Sequence, residues 1–118
     1  LGHTFAHAIE SVAGYGKYLH GEAVAIGLLL AAKLSAELGQ LDTVEIDRTA
    51  RLIEKFNLPT RLKEPLSLVA LMATMQRDKK NLSGRQRFIT LKRIGRATTS
   101  EAVDPLYIES LWRQIGAV

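Results

Sequence analysis

All three histidines of this 118-residue chain fall within its first twenty residues. His3 and His7 are four apart, so on a helix they share one face with Cβ atoms ~5–6 Å apart. Glu10 extends that face by three residues, and His20 follows at the end of a Gly-containing loop with Glu22 beside it. Two helical imidazoles plus a third from a neighbouring loop suit Zn²⁺ with one coordination position left open. An open position lets a metal polarise a substrate oxygen. The pattern is H-x3-H and lacks the glutamate of the H-E-x-x-H metalloprotease helix. Two other readings fit the same trio. One is a structural polar cluster; the other makes one histidine a proton-transfer group beside a two-histidine site, because imidazole titrates near neutral pH.

The second concentration of chemistry is cationic. From Arg77 to Arg96 there are eight basic residues and one acid, Asp78. Such a local excess attracts phosphates, carboxylates or nucleic acid. Within it, Arg77-Asp78-Lys79-Lys80-Asn81 closes a predicted helix, where cations complement the helix dipole. It reads either as dipole-complementary surface charge or as a clamp for an anionic ligand.

Composition narrows the class. With 47% hydrophobic and 24% charged residues the chain is a globular domain and not an intrinsically disordered tail. It holds no cysteine, so any metal must be bound by His, Asp or Glu. The longest apolar run, Ala23–Ala32, is ten residues; a membrane-spanning helix needs ~20. The densest chemistry sits at the first residues, where chains fray, which suggests a fragment with its upstream part elsewhere.

Five helices and one hairpin must position these groups. Leu1 to Ala13 carries Phe5, Ile9 and Val12 at helical spacing, with its start expected upstream of residue 1. Gly14-Tyr15-Gly16 ends it. Glu22 to Leu38 is apolar nearly all round and should be the most buried element, with Gly27 and its alanines admitting close neighbours. A third helix, capped by Asp42 or Thr43, runs to about Phe56 with Val44, Leu52, Ile53 and Phe56 inward. Ser67 caps a fourth, with Leu68, Leu71, Met72 and Met75 inward and an end near Asp78. Arg87–Leu91 and Ala97–Thr99 read as two strands turned at Gly95, with Asn81–Gly84 as the preceding loop. Asp104-Pro105 opens a last helix burying Leu106, Ile108, Leu111 and Trp112. The predicted fold is mainly α, a helical bundle with one small β-hairpin.

Three stretches, Leu1-Gly2-His3-Thr4-Phe5-Ala6-His7-Ala8-Ile9-Glu10, Leu19-His20-Gly21-Glu22-Ala23-Val24 and Asp78-Lys79-Lys80-Asn81, resemble in order the C-terminal domain of the 3-dehydroquinate synthase family. The resemblance covers essentially the whole chain. It implies that residues 1–118 form a metal- and substrate-binding helical domain, with an N-terminal Rossmann-like NAD-binding domain lying outside this chain. It implies a carbon–oxygen lyase of the shikimate pathway, converting 3-deoxy-D-arabino-heptulosonate 7-phosphate to 3-dehydroquinate and phosphate. NAD⁺ would be used catalytically together with Zn²⁺ or Co²⁺. His3 and His20 match the metal-binding histidines and His7 matches a catalytic histidine close to substrate. Lys80, with Lys79 as the alternative, matches a substrate-binding lysine. The resemblance further implies a cytoplasmic homodimer whose partner is a small anionic sugar phosphate, with neither nucleic acid nor membrane.

Departures from the family pattern set limits. The chain has no Gly-rich dinucleotide turn, and the family's glutamate metal ligand is not among these residues. The arginine and asparagine that precede the first histidine motif in the family are absent too. Glu10 and Glu22 are not ligands in that pattern. The isolated chain is therefore expected to be inactive. The rivals are another sugar-phosphate cyclase, an NAD- and metal-dependent polyol dehydrogenase of the same fold group, and a basic helical nucleic-acid-binding domain. The last has only Phe88 as a stacking aromatic within its basic stretch.

Overall fold

A computed structural model describes residues 1–14, 16–81, 88–100 and 103–118, with backbone alone at Lys80 and Asn81. The elements are α1 (His3–Ala13), α2 (His20–Glu37), α3 (Thr43–Lys55), α4 (Leu68–Asn81), β1 (Phe88–Arg93), β2 (Arg96–Ser100) and α5 (Pro105–Gln114). This is the expected helical bundle with one antiparallel hairpin. Arg87, Tyr15 and the loop residues 82–84, named in the sequence reading, lie outside the described residues.

The apolar helix is the axis of the molecule: α2 packs on α1, α3, α5 and β1. Its buried residues run from Ala23 to Ser35 and face several directions, as an all-round apolar sequence requires. Around it lie Phe5, Ile9, Leu71, Leu111 and Trp112, all fully buried. Phe5 is the hub of the aromatic packing. Its ring centre is 5.5 Å from that of Phe88 and 5.5 Å, edge-on, from that of Trp112. The Trp112 indole N–H finds its partner in the Met75 sulfur at 3.4 Å.

The start of α1 differs from the sequence reading. The helix begins at His3, within the chain, because Gly2 adopts a left-handed conformation with φ 78° and cannot continue it upstream. Gly2 also lies against Gly27 of α2. A Cβ on Gly2 would come within 2.7 Å of the Leu28 nitrogen and 2.8 Å of the Gly27 carbonyl carbon, and one on Gly27 would collide with the Gly2 carbonyl oxygen. Two glycines therefore let two backbones touch directly beside His3.

Two apolar faces also depart from expectation. On α3, Val44, Leu52 and Phe56 are exposed, and the inward stripe is Ile46, Ala50 and Ile53 against Ala25 and Leu29. At 100° per residue the two sets fall on adjacent, separate faces of the helix. On α5, Leu106 is exposed while Ile108, Leu111, Trp112 and Ile115 face inward. Two helix boundaries shift as well: α2 starts at His20 rather than Glu22, and α4 continues three residues past Asp78.

The hairpin is anchored to α2 by buried polar side chains. Ser35 Oγ donates to the Ala31 carbonyl at 2.7 Å and accepts the Leu91 N–H at 2.8 Å. Thr90, also buried, donates to Gln40 Oε1 at 2.8 Å and meets Ser100 Oγ at 2.8 Å. Ser35→Ala strands the Leu91 N–H without a partner, so it should cost about 1–3 kcal/mol. Urea unfolding of wild type and variant measures the loss, and an unchanged midpoint would show that the bond contributes nothing net.

Candidate metal and substrate site

The site is built where α1 and α2 begin and α4 ends. His3 is the first residue of α1, set by Gly2, and His20 is the first residue of α2. Their rings approach to 5.9 Å between centres at a 53° tilt. Each Nδ1 is already occupied. His3 Nδ1 lies 3.3 Å from the Leu1 carbonyl, and His20 Nδ1 lies 3.1 Å from Glu10 Oε1. Carbonyl and carboxylate oxygens only accept, so each Nδ1 acts as donor, and in the neutral ring that leaves the lone pair on Nε2. An imidazole whose Nδ1–H is held by an oxygen in this way has its ring orientation fixed with Nε2 turned outward for a ligand.

His7 lies one turn along α1. Its Nδ1 is 2.7 Å from Asp78 Oδ2 on α4. That contact brings the end of α4 to the histidine face; Lys79, the next residue on that helix, is partly buried. Lys80 occupies the same helix end, with its side chain outside the described residues.

The loop that delivers His20 is held by a separate cation. Glu22 Oε1 accepts the Leu19 N–H at 2.9 Å, which is half of a capping box, since leucine offers no acceptor in return. The same oxygen takes Lys63 Nζ at 2.6 Å. The Lys63 ammonium and then the Leu19 N–H hold the Glu22 carboxyl below the usual carboxylate range. Lys63 also donates from Nζ to the Lys17 carbonyl at 3.3 Å and from its backbone N–H to the Tyr18 hydroxyl at 2.8 Å. Its ammonium lies 4.8 Å from the centre of the Tyr18 ring. Glu22 thus fixes the loop through Oε1.

The donor set can be tested against a metal. Imidazole nitrogens suit Zn²⁺ and Co²⁺. Two imidazoles on one tetrahedral ion at ~2.0–2.1 Å have ring centres about 5 Å apart, and 5.9 Å is close to that spacing. Among the described residues no group of three or more His, Asp, Glu or Cys side chains is placed to hold an ion. The described residues thus bring two imidazoles together without a complete ligand set. Sequence spacing located the histidines, but it gave no role to Glu10 beyond sharing their face and none to Asp78 as a partner of His7. The available signal for Asp78 was its position as the single acid in the basic run.

Comparison with known proteins places these residues in context. The model of the family described as 3-dehydroquinate synthase C-terminal matches residues 1–81. A 3-dehydroquinate synthase of Opitutus terrae is 48% identical over 117 residues, covering 99% of this chain and 32% of that protein. One from Acidithiobacillus ferrooxidans is 49% identical over 108 residues, covering 92% of this chain and 29% of that protein. Among solved structures, the 2-epi-5-epi-valiolone synthase of Streptomyces hygroscopicus subsp. jinggangensis, with NAD⁺ and Zn²⁺ bound, superposes with TM-score 0.84 at 26% identity. That match covers 97% of this chain and 31% of the other. A 2-deoxy-scyllo-inosose synthase complexed with carbaglucose-6-phosphate, NAD⁺ and Co²⁺ shares the fold, with TM-score 0.82 at 22% identity over 96% of this chain and 33% of the other. The chain spans about a third of the length of these relatives.

Proposed function

We propose a function from one premise: this chain belongs to the 3-dehydroquinate synthase family, through its C-terminal domain. The protein that carries it converts 3-deoxy-D-arabino-heptulosonate 7-phosphate to 3-dehydroquinate and phosphate, with NAD⁺ and Zn²⁺ or Co²⁺ as cofactors. The observation that carries this reading is the contrast in identity over nearly the same span. It is 48% to a 3-dehydroquinate synthase and 26% to the valiolone synthase. The same contrast favours it over another sugar-phosphate cyclase. As the family resemblance implies, the whole protein is a cytoplasmic homodimer with a Rossmann-like NAD-binding domain preceding these residues.

In this reading His3 and His20 would hold the divalent cation through Nε2, with their Nδ1–H groups donating to the Leu1 carbonyl and the Glu10 carboxylate. The metal and NAD⁺ together supply polarisation of a secondary alcohol and acceptance of its hydride. His7, with its Nδ1 held by Asp78, presents Nε2 to the substrate and moves a proton there. Lys80 or Lys79, at the end of α4, binds an anionic group of the sugar phosphate. Lys63 and Glu22 keep the His20 loop in place for all of these contacts.

Phosphate release by the full-length protein tests the proposal, with NAD⁺ and Zn²⁺ present and the heptulosonate 7-phosphate as substrate. Steady turnover is expected. Turnover of glucose 6-phosphate or sedoheptulose 7-phosphate in its place would assign the protein to another cyclase class. The isolated 118-residue chain should release no phosphate under the same conditions, because neither the family's glutamate ligand nor a dinucleotide fingerprint is among its residues.

A further inference from the structure

We propose that Asp78 is the positioning residue of His7, fixing the tautomer and ring orientation with which His7 handles the substrate proton. The inference rests on the reading of His7 as the proton-transfer group. Asp78 and His7 are 71 residues apart in sequence and sit on different helices, yet their side chains meet at 2.7 Å. The carboxylate is the better anchored partner: the Asp78 side chain is 24% exposed and the His7 ring 63%. A carboxylate oxygen only accepts, so the bond places the imidazole proton on Nδ1 and leaves Nε2 as the base. It also prevents the exposed ring from turning over, and it stabilises the imidazolium formed once Nε2 has taken a proton. An orienting carboxylate behind a catalytic imidazole plays this part in other hydrolytic and metal sites.

A simple α1–α4 tie would use the same contact, so the test must separate positioning from structure. In the full-length protein, Asp78→Asn should lower kcat roughly 10–100-fold, with metal content and KM near wild type, and Asp78→Glu should recover part of the loss. In a His7→Ala background, Asp78→Asn should lower kcat no further, because Asp78 acts only through that imidazole. An equal fall in both backgrounds, or wild-type kcat in Asp78→Asn, overturns the inference while leaving the role of His7 standing. Wild-type kcat in His7→Ala overturns the underlying reading and the inference with it. Nitrogen-15 NMR of the wild-type protein gives a readout that no unfolded variant can obscure. Neutral His7 should carry its proton on Nδ1, and an Nε2–H tautomer would contradict the proposal.

Discussion

Replacing His3 or His20 by alanine should empty the metal site and abolish turnover, whereas His7→Ala should keep its metal and lose ~10²–10⁴-fold in rate. The division follows from what each imidazole faces. The His3 and His20 rings lie 5.9 Å apart with both Nδ1 atoms hydrogen-bonded, so in the proposed reading their Nε2 atoms are the pair offered to one ion. His7 is tied instead to Asp78 across the α1–α4 contact. Under the proposed roles, removing one of the two imidazoles would halve what this domain gives the cation, and metal binding is coupled to the ligands available. Removing a proton-transfer group leaves coordination intact. Metal analysis of the three purified full-length variants, together with rates at added Zn²⁺, measures both quantities. A His7→Ala protein without metal beside a His3→Ala protein with metal would reverse the roles.

Gly27→Ala should be the most damaging methyl group that can be added to α2. Its Cβ would collide with the Gly2 carbonyl oxygen, which is backbone and cannot swing away. Gly2 is in turn fixed by its left-handed φ and by the Ala6 N–H bonded to that oxygen at 2.9 Å. Overpacking of flexible cores costs ~1–3 kcal/mol, and a backbone-on-backbone clash should lie at or above the top of that range. The displaced segment carries His3, so metal affinity should fall together with stability. Gly21→Ala, on the same helix, has nothing within 4 Å of the added methyl and should leave stability unchanged or slightly raised. Urea unfolding midpoints of the two variants provide the comparison. Equal midpoints would mean that the Gly2–Gly27 contact relaxes without penalty.

Much of this architecture is legible in residue order because local signals agree with the packing. Asp42 accepts the Val44 N–H and Asp104 the Leu106 N–H, each at 3.0 Å, as their cap positions require. The Ala23–Ala32 run becomes the buried central helix because no face of it could remain in water. The misread faces have a common cause. On α3 the apolar residues form two stripes, and only the partner decides between them: Ala25 and Leu29 of α2 receive Ile46, Ala50 and Ile53. Leu106 is apolar at the first turn of α5 but points away from the stripe that Trp112 belongs to. At the site, spacing brings His3, His7 and Glu10 to one face, because helical geometry alone does so. The pairings of His20 with Glu10 and of His7 with Asp78 span 10 and 71 residues, and they exist only once α2 and α4 dock on α1.

In the proposed function His3 and His20 jointly hold one catalytic divalent cation, with His7 outside its coordination sphere. The most direct test is the anomalous scattering of Co²⁺ in crystals of the full-length protein. A single strong peak at coordinating distance from Nε2 of both His3 and His20, with the His7 ring still bonded to Asp78, is the expected result. A peak coordinated by His7, or one that touches neither His3 nor His20, would contradict it.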